Sequence, residues 1–208
     1  MEEPAYPPEP WHLRGRMYVS VRRVAPDRLP RWRLPPGARP LIVGGRCTLL
    51  VFWVDYRPDG VLAYRELLVA PAVVHRRRIR ATAVAVWVDS PASRAGGRAL
   101  WGIPKELGDL GADAGRFRLR APGPGSVSGE FTAGRVTVPV RRPLRATLVQ
   151  WRGAEVVDVP VALSGRLTHG RLRMTADPAG TLAFLTDDSP RPAVRLDDFR
   201  CTVGRPRD

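Results

Sequence analysis

The chain has 208 residues, a formal net charge of +14 and a hydrophobic fraction of 44%. This length suits one domain, and the hydrophobic fraction excludes extensive disorder. No apolar run approaches the roughly 20 residues that a membrane-spanning helix requires. The acidic, proline-rich residues 1–10 differ from a signal peptide and are predicted to form an arm before a single domain at residues 11–205. We therefore expect a cytoplasmic protein that does not enter a membrane.

Apolar and polar residues alternate with a period of two along most of the domain, and this pattern predicts strands along its whole length. A short helix is predicted within residues 24–33, and a helical turn at residues 90–97. Together these elements indicate a mainly β, β-rich α+β domain of antiparallel, barrel-like sheets, in which a barrel mouth suits a small molecule. The predicted strands are residues 16–23, 47–56, 61–74, 79–89, 116–120, 127–131, 135–140, 145–151, 156–163, 165–175 and 199–203.

The basic residues are almost all arginines. Among 34 Lys and Arg residues, Lys105 is the only lysine. Arginine keeps its proton, whereas a lysine amine can lose its proton and attack a carbonyl carbon. Codon usage in a GC-rich genome is the alternative explanation for a single lysine. The arginines are spread along the chain rather than gathered in one patch, so no specific nucleic-acid site is predicted.

The cysteines and histidines lack the spacing of metal ligands. Cys47 and Cys201 are far apart and have no CxxC partner. Zinc sites need clustered ligands, and His12, His75 and His169 do not supply them. The sequence therefore predicts two reduced, buried thiols and no metal site.

Apolar residues and glycines surround the single lysine. The pair Gly96-Gly97 precedes Lys105 and Gly108 follows it, which predicts sharp backbone bends on both sides. Burial in apolar surroundings favours the neutral amine and lowers the pKa of a lysine. In the alternative interpretation, only the stem of the lysine is covered and its ammonium stays in water. The apolar neighbours are Leu100, Trp101, Ile103 and Pro104.

Three segments carry a resemblance to a known family. The motif Gly97-Arg98, Pro104-Lys105, Leu107-Gly108 resembles the lysine motif of acetoacetate decarboxylases. Residues 16–21 are similar to the early strand of that family, and Tyr64-Arg65-Glu66 is similar to its Tyr-x-Glu segment. The chain is thereby identified as a divergent member of the acetoacetate decarboxylase-like superfamily. The resemblance implies a β-rich, barrel-like fold, a homo-oligomer and a Schiff-base lysine in a closed pocket.

The chain departs from the family beside its lysine. Glu106 stands where the decarboxylases carry a second lysine, and Ile103 stands where a tyrosine is common. In an extended segment Glu106 points away from Lys105. If Glu106 points inward instead, it favours the ammonium and opposes Schiff-base formation.

The resemblance also implies roles for the upstream landmarks. Glu66 is the expected proton-transferring residue and Arg16 the expected ligand of a substrate carboxylate, with Trp101 and Ile103 lining the substrate pocket. The alternatives are a surface position for Arg16 and a structural salt bridge for Glu66. Arg98 is expected either to pair with Glu66 or to hold the loop that presents the lysine.

The resemblance implies a lyase that acts on a keto acid. The amine of Lys105 would condense with the ketone, and the iminium would serve as the electron sink for decarboxylation, aldol chemistry or dehydration. No metal or organic cofactor is needed for this chemistry. The alternative function is a non-catalytic protein of the same fold that binds a small ligand in the pocket.

Overall fold

The computed structural model describes residues 4–123 and 125–205. Within these residues, one α-helix, α1 (Pro91–Trp101), and two 3-10 turns, Pro26–Arg28 and Ala183–Leu185, accompany the strands. The predicted mainly β class is confirmed. The strands of the described residues are β1 (Trp11–Val24), β2 (Arg39–Pro40), β3 (Ile42–Val43), β4 (Arg46–Tyr56), β5 (Tyr64–His75), β6 (Arg78–Ala81), β7 (Ala85–Val88), β8 (Lys105–Leu107), β9 (Asp109–Asp113), β10 (Arg116–Arg120), β11 (Val127–Arg152), β12 (Glu155–Ala176) and β13 (Arg191–Val203).

All of these strands belong to one sheet. The paired strands run antiparallel, except that β7 runs parallel to β8 and β6 runs parallel to β11. The path β4-β1-β13-β12-β11-β6-β5 returns to its start because β5 also pairs with β4. The last strand, β13, lies between β1 and β12 and so has a neighbour on each side.

The two faces of the sheet carry separate apolar cores. Successive side chains of a strand point to opposite faces. Trp53 and Leu67 accordingly lie in the first core, which also contains Tyr18, whereas Val54 and Tyr64 lie in the second. The second core includes Trp101 at the end of α1. Any residue of β5 that shares a face with Tyr64 therefore points towards the second core.

The predicted strand at residues 79–89 is two strands. Its first part, β6, pairs with β5 from Ala72 onwards, and its second part, β7, pairs with β5 up to Val69. Ala85 is four residues after Ala81, whereas their partners on β5, Val69 and Ala72, are only three residues apart. The segment between β6 and β7 therefore contains one extra residue, as in a β-bulge. Pro71 of β5 lies opposite this break and has no N–H to donate to a ladder.

The predicted helical segments are only partly correct. Residues 24–33 contain just the 3-10 turn Pro26–Arg28. In contrast, the turn predicted at residues 90–97 is a full helix, α1. Ser90 caps its N-terminus by accepting a hydrogen bond from the Ser93 N–H at 3.2 Å, and Gly102 ends it in the left-handed conformation at φ 67°. Serine and glycine are favoured at these two positions.

Five predicted strands in the second half of the chain form only two long strands. Residues 127–151 run through β11, whose register against β12 shifts after Ala133 and again after Val140. Residues 156–175 run through β12, whose register against β13 shifts at Gly165. A register shift keeps the strand intact but interrupts its alternation, which is why the sequence pattern divides each strand. No helix among residues 4–123 and 125–205 is long and apolar enough to cross a membrane.

Candidate active site

Lys105 begins β8 and lies against the backbone of helix α1. The position of a Cβ atom on Gly97 would be 2.7 Å from Lys105 Cδ and 2.8 Å from its Cε. Gly96 has a similar role, because its Cβ position would be 2.5 Å from Trp11 Cζ2. The prediction that this glycine pair bends the chain is wrong. The pair lies within α1 and lets two large side chains pack directly on the helix.

Three polar groups surround the amine of Lys105. Its Nζ is 2.8 Å from Glu66 Oε2, and it donates hydrogen bonds to Ser93 Oγ at 2.9 Å and to Tyr64 Oη at 3.3 Å. Lys105 is 3% exposed and Glu66 is 4% exposed. The amine is therefore a fully enclosed ammonium with one carboxylate and two hydroxyls as partners. The alternative interpretation of Lys105, in which its ammonium stays in water, is wrong.

Strand β7 sets the distance between the two charged groups. Glu66 pairs across the ladder with Val88 on one side of β7, and Lys105 pairs with Val86 on the other side. Both side chains emerge on the face of the second core, where Tyr64 and Val86 are packed. The ion pair thus bridges over a buried strand, and its geometry depends on strand register rather than on a loop.

The carboxylate has its own buried neighbours. Tyr56 donates a hydrogen bond to Glu66 Oε1 at 3.4 Å. Burial raises the pKa of Cys201 to about 12, and the negative charge of Glu66 adds to this effect. Burial followed by the charge of Glu66 likewise raises the pKa of Tyr56. Both groups are therefore neutral at physiological pH. Cys47 and Cys201 are both free and buried, as predicted.

The pKa of Lys105 lies above its usual range. Burial acts to lower it, but the charge of Glu66, followed by contributions from Tyr64, outweighs that effect. Burial raises the pKa of Tyr64 to about 12, although the charge of Lys105 partly offsets this shift. In the resting site Lys105 is consequently charged and Tyr64 is neutral. The expectation that apolar surroundings alone would yield a neutral amine is wrong for this site, because a buried carboxylate is present.

The N-terminal arm packs over the same site. Glu9 accepts a hydrogen bond from Trp101 Nε1 at 2.8 Å, and Pro7 accepts one from Trp11 Nε1 at 2.9 Å. The two indole rings meet edge to face with centroids 4.8 Å apart. The Trp11 ring centroid is 5.8 Å from Lys105 Nζ. The described residues of the arm thus pack on helix α1, which in turn packs on Lys105. Residues 1–3 of the arm lie outside the described residues.

The two predicted supporting residues lie together on the outer side of β8. Arg98 Nε donates to the carbonyl oxygen of Lys105 at 2.7 Å, and its Nη2 donates to Glu106. Glu106 is exposed and belongs to an extended strand, so it points away from the amine. Of the two expectations for Arg98, the structure matches the one in which it holds the segment that presents the lysine. Ile103 is buried in the second core with Trp101.

The structure does not bring Arg16 to the lysine. Its Nε donates to Asp197 Oδ1 at 2.6 Å, and its side chain is 40% exposed. Burial lowers the pKa of Arg16, but the hydrogen bond and charge of Asp197 outweigh this effect and raise it. Arg16 shares a face with Tyr18 of the first core, whereas Lys105 and Glu66 lie on the second. The register of β1 against β4 places Arg16 beside Asp55, on the face that carries the first core.

Sequence reasoning missed two residues that contact the amine. Tyr64 is two residues before Glu66 in a strand, so the alternation already places both on one face. Ser93 is three residues after the helix cap Ser90, within the first turn of α1. The proline at position 91 and the serine before it are a helix-start signal, so the helix itself was open to prediction, but its contact with Lys105 depends on tertiary packing.

Tyr64 also contacts a cavity of about 410 Å³ on its other side. Tyr56 lines this cavity too, together with Arg57, Arg65 and Asp89. The two tyrosines thus contact both this cavity and the enclosed ion pair. No group of three or more His, Cys, Asp or Glu side chains in the described part of the chain has the geometry of a metal site.

The fold is similar to known structures of low sequence identity. The enduracididine biosynthesis enzyme MppR complexed with pyruvate is 22% identical, with a TM-score of 0.63 over 95% of this chain and 89% of that one. MppR complexed with the condensation product of pyruvate and imidazole 4-carboxaldehyde is 21% identical, with a TM-score of 0.62 over 95% and 88%. Acetoacetate decarboxylase from Legionella pneumophila is 16% identical, with a TM-score of 0.61 over 97% and 87%.

The sequence itself also matches a family. No curated protein matches the chain. The family model described as acetoacetate decarboxylase matches residues 2–181, which include both members of the buried ion pair. The matched region covers most of the chain, and the fold agrees with it. The protein belongs to the acetoacetate decarboxylase family.

Proposed function

We propose that the protein is a lyase that acts on a keto acid through a Schiff base on Lys105. The observation that carries this proposal is the enclosed amine, which has a carboxylate at 2.8 Å and two hydroxyls within hydrogen-bonding distance. An amine needs a nearby base before it can attack a ketone. The complex of the similar enzyme MppR with pyruvate supports a small keto acid as the ligand class.

The first step is a proton transfer within the ion pair. Lys105 gives a proton to Glu66, which leaves a neutral amine and a carboxylic acid. The nitrogen lone pair then forms a bond to the ketone carbon as the carbonyl π bond breaks, and a proton moves from the nitrogen to the oxygen to give a neutral carbinolamine. Loss of water from the carbinolamine, assisted by a proton from Glu66, yields the iminium.

The iminium then accepts the electrons of a neighbouring bond. In decarboxylation of a β-keto acid, the bond between the α carbon and the carboxylate carbon breaks, carbon dioxide leaves and an enamine forms. In aldol chemistry, loss of a proton beside the iminium carbon gives the enamine, which attacks an aldehyde. The enamine left by decarboxylation takes up a proton on carbon to give an iminium, and hydrolysis of the iminium returns the free amine in both cases. The condensation product bound by MppR makes the aldol branch a specific candidate alongside decarboxylation.

Tyr64 and Ser93 are proposed to carry protons in these steps. Tyr64 remains protonated at neutral pH, since its pKa is raised to about 12. It can therefore donate a hydrogen bond to the oxygen of the carbinolamine. Ser93 is completely buried and contacts the same amine, so it can accept a proton from one side while it donates to the other.

Borohydride trapping tests the proposal directly. The protein is incubated with pyruvate, and in parallel with acetoacetate, and the intact mass is measured after reduction. Because Lys105 is the only lysine, the α-amino group is the only other amine that could react. We expect one adduct in the wild type and none in Lys105→Arg, with peptide mapping to Lys105. The absence of an adduct across a panel of keto acids contradicts the proposal.

Tyr64→Phe is expected to slow adduct formation by about 100-fold, because it removes the donor for the carbinolamine oxygen. Ser93→Ala is expected to give a smaller decrease. Tyr18→Phe is the matched control, since Tyr18 is a buried tyrosine of the first core. The measurement is the rate of the trapped adduct in quenched time points. Equal rates for Tyr64→Phe and Tyr18→Phe would exclude a role of Tyr64 in proton transfer.

A second function is favoured by one feature of the same site. The charge of Glu66 raises the pKa of Lys105 and keeps it charged, as in a site that only binds an anion. In that case pyruvate would bind, calorimetry would detect it, and no reducible adduct would form. The trapping experiment therefore separates the two functions. The homo-oligomer implied by the resemblance remains a prediction, which sedimentation velocity tests.

A further inference from the structure

The middle of strand β11 has little cover within the chain. Residues 132–139 and 141–146 are all exposed, so both faces of the strand meet solvent there. Strand β12 pairs with one edge of this stretch, but no described residue pairs with its other edge between residues 132 and 147. Two strands without further packing are only marginally stable in water. This stretch therefore indicates a contact that the single chain does not supply.

The exposed aliphatic side chains of this stretch continue the second core. Val138 pairs with Leu167 and Leu144 pairs with Leu163, and paired residues lie on one face of a sheet. Leu163 and Leu167 are half-buried against the second core, whereas Val138 is 53% and Leu144 is 56% exposed. We call the face of β11 and β12 that carries these four residues the ribbon face. Further half-buried aliphatic residues of the second core on these two strands are Val140, Leu148, Val157 and Val161.

The paired positions on the ribbon face carry no charge between Val138 and Leu148 in the described chain. Arg145 follows Leu144 and points to the opposite face, as does Arg166, which pairs with Pro139. The other arginines of this stretch lie in the two register shifts of β11, where the alternation is interrupted. Although the chain has a net charge of +14, two copies of the ribbon face can meet without pressing these outward charges together. The arginines in the register shifts are Arg135, Arg141 and Arg142.

The accessible surface of the chain exceeds that of a compact monomer. It amounts to 11702 Å². A monomer of 23.0 kDa is expected to expose about 9,600 Å². The surplus of about 2,000 Å² is larger than the roughly 800 Å² that each partner contributes to a standard protein interface. The chain therefore exposes enough additional surface for a stable dimer.

We propose that the ribbon face joins two copies of this chain in a two-fold dimer. A two-fold interface uses the same patch on both subunits, so apolar residues must meet apolar residues. The ribbon face meets this condition, and its paired positions hold no cation that would attract an acidic partner instead. The dimer gives the homo-oligomer expected from the sequence a defined contact surface, and it does not depend on the proposed Schiff-base chemistry. The second copy would cover the open side of the second core.

Sedimentation velocity tests the dimer with two double variants. Val138→Glu/Leu144→Glu places charges on the ribbon face at positions that are exposed in the single chain, so the fold is expected to persist. We expect the wild type to sediment with at least twice the chain mass of 23.0 kDa, and this variant with half the wild-type mass. Val21→Glu/Ile79→Glu is the matched control and is expected to keep the wild-type mass. Its two residues are 54% and 68% exposed but lie on β1 and β6.

Three results of this experiment would overturn the proposal. They are a monomeric wild type, a ribbon-face variant that keeps the wild-type mass, and a control variant that dissociates as well. The last result would mean that added charge, rather than its position, separates the subunits. The melting temperature is a second measurement on the same proteins. It is expected to rise with protein concentration in the wild type and to stay constant in the ribbon-face variant, and a constant value in both contradicts the dimer.

The salt dependence identifies the kind of contact. At about 1 M salt, interactions between exposed charges are screened beyond about 3 Å. An apolar contact between two chains of like net charge is expected to persist or strengthen under these conditions. Dissociation of the wild type by salt would show that charges hold the subunits together, and it would overturn the assignment of the ribbon face.

Discussion

Glu66→Gln is expected to destabilise the fold by about 3–5 kcal/mol at neutral pH, because it leaves the Lys105 ammonium buried without a counter-charge. The same loss is expected for Lys105→Met, which leaves the carboxylate uncompensated. The double variant Glu66→Leu/Lys105→Met removes both charges. Its free energy of unfolding is expected to lie within about 1 kcal/mol of that of the wild type. Urea unfolding at pH 7 measures all three free energies.

The surface pair Arg116–Glu130 provides the control for this cycle. Its Nε–Oε1 distance is 3.3 Å, but both side chains are well exposed. Arg116→Gln is expected to cost less than about 1 kcal/mol. If Glu66→Gln costs no more than this control, water reaches the Lys105 amine and the site is not enclosed in solution.

The same pair gives stability a defined pH dependence. The folded state raises the pKa of Lys105 above its unfolded value of about 10.4, so the pair stabilises the protein below that pH. The stabilisation is lost as the pH rises through the folded-state pKa. Adduct formation should show the opposite trend and accelerate as the amine loses its proton. In Glu66→Gln the pKa of Lys105 should decrease, and the rate profile should shift to lower pH.

Asp187→Ala is expected to destabilise the protein by about 3–5 kcal/mol through a different buried charge. Asp187 binds Arg22 by two hydrogen bonds, of 2.5 and 2.9 Å, and accepts a third from the Met174 N–H at 2.9 Å. Both side chains of the ion pair are at most 5% exposed. Without the carboxylate, the Arg22 guanidinium remains buried with only the Leu185 carbonyl oxygen, at 3.2 Å, as a hydrogen-bond acceptor.

Arg191→Gln is the matched control for this second variant. Arg191 contacts the same carboxylate at 3.4 Å, but its side chain is 52% exposed. Its removal is expected to cost less than about 1 kcal/mol. The comparison uses urea unfolding at neutral pH. If Asp187→Ala and Arg191→Gln lower the free energy of unfolding by similarly small amounts, the buried ion pair of Asp187 with Arg22 does not stabilise the fold as expected.

The sequence predicted the parts of the site that depend on local pattern. Alternation identified the strands that carry Glu66 and Tyr64, and the single lysine identified the amine. The pattern predicted only a turn at residues 90–97 and not the full helix α1, because two glycines lower the helix propensity of its centre. Gly96 and Gly97 are explained by tertiary packing, because they leave room for the side chains of Trp11 and Lys105. Sequence also could not reveal the position of Arg16, since its face depends on the register of β1 against β4 and β13.

The central position of the last strand has a consequence for synthesis. During translation the N-terminal elements leave the ribosome first and begin to fold. Strand β1 nevertheless has no β13 beside it until residues 191–203 have emerged, and Cys201 packs in the same core as Trp11. The core that contains Trp11, whose ring centroid is 5.8 Å from Lys105 Nζ, therefore lacks part of its packing until β13 has been synthesised. A nascent chain that stalls before Arg191 is therefore expected to leave apolar side chains of the second core, such as Trp11 and Leu13, exposed to chaperones and proteases.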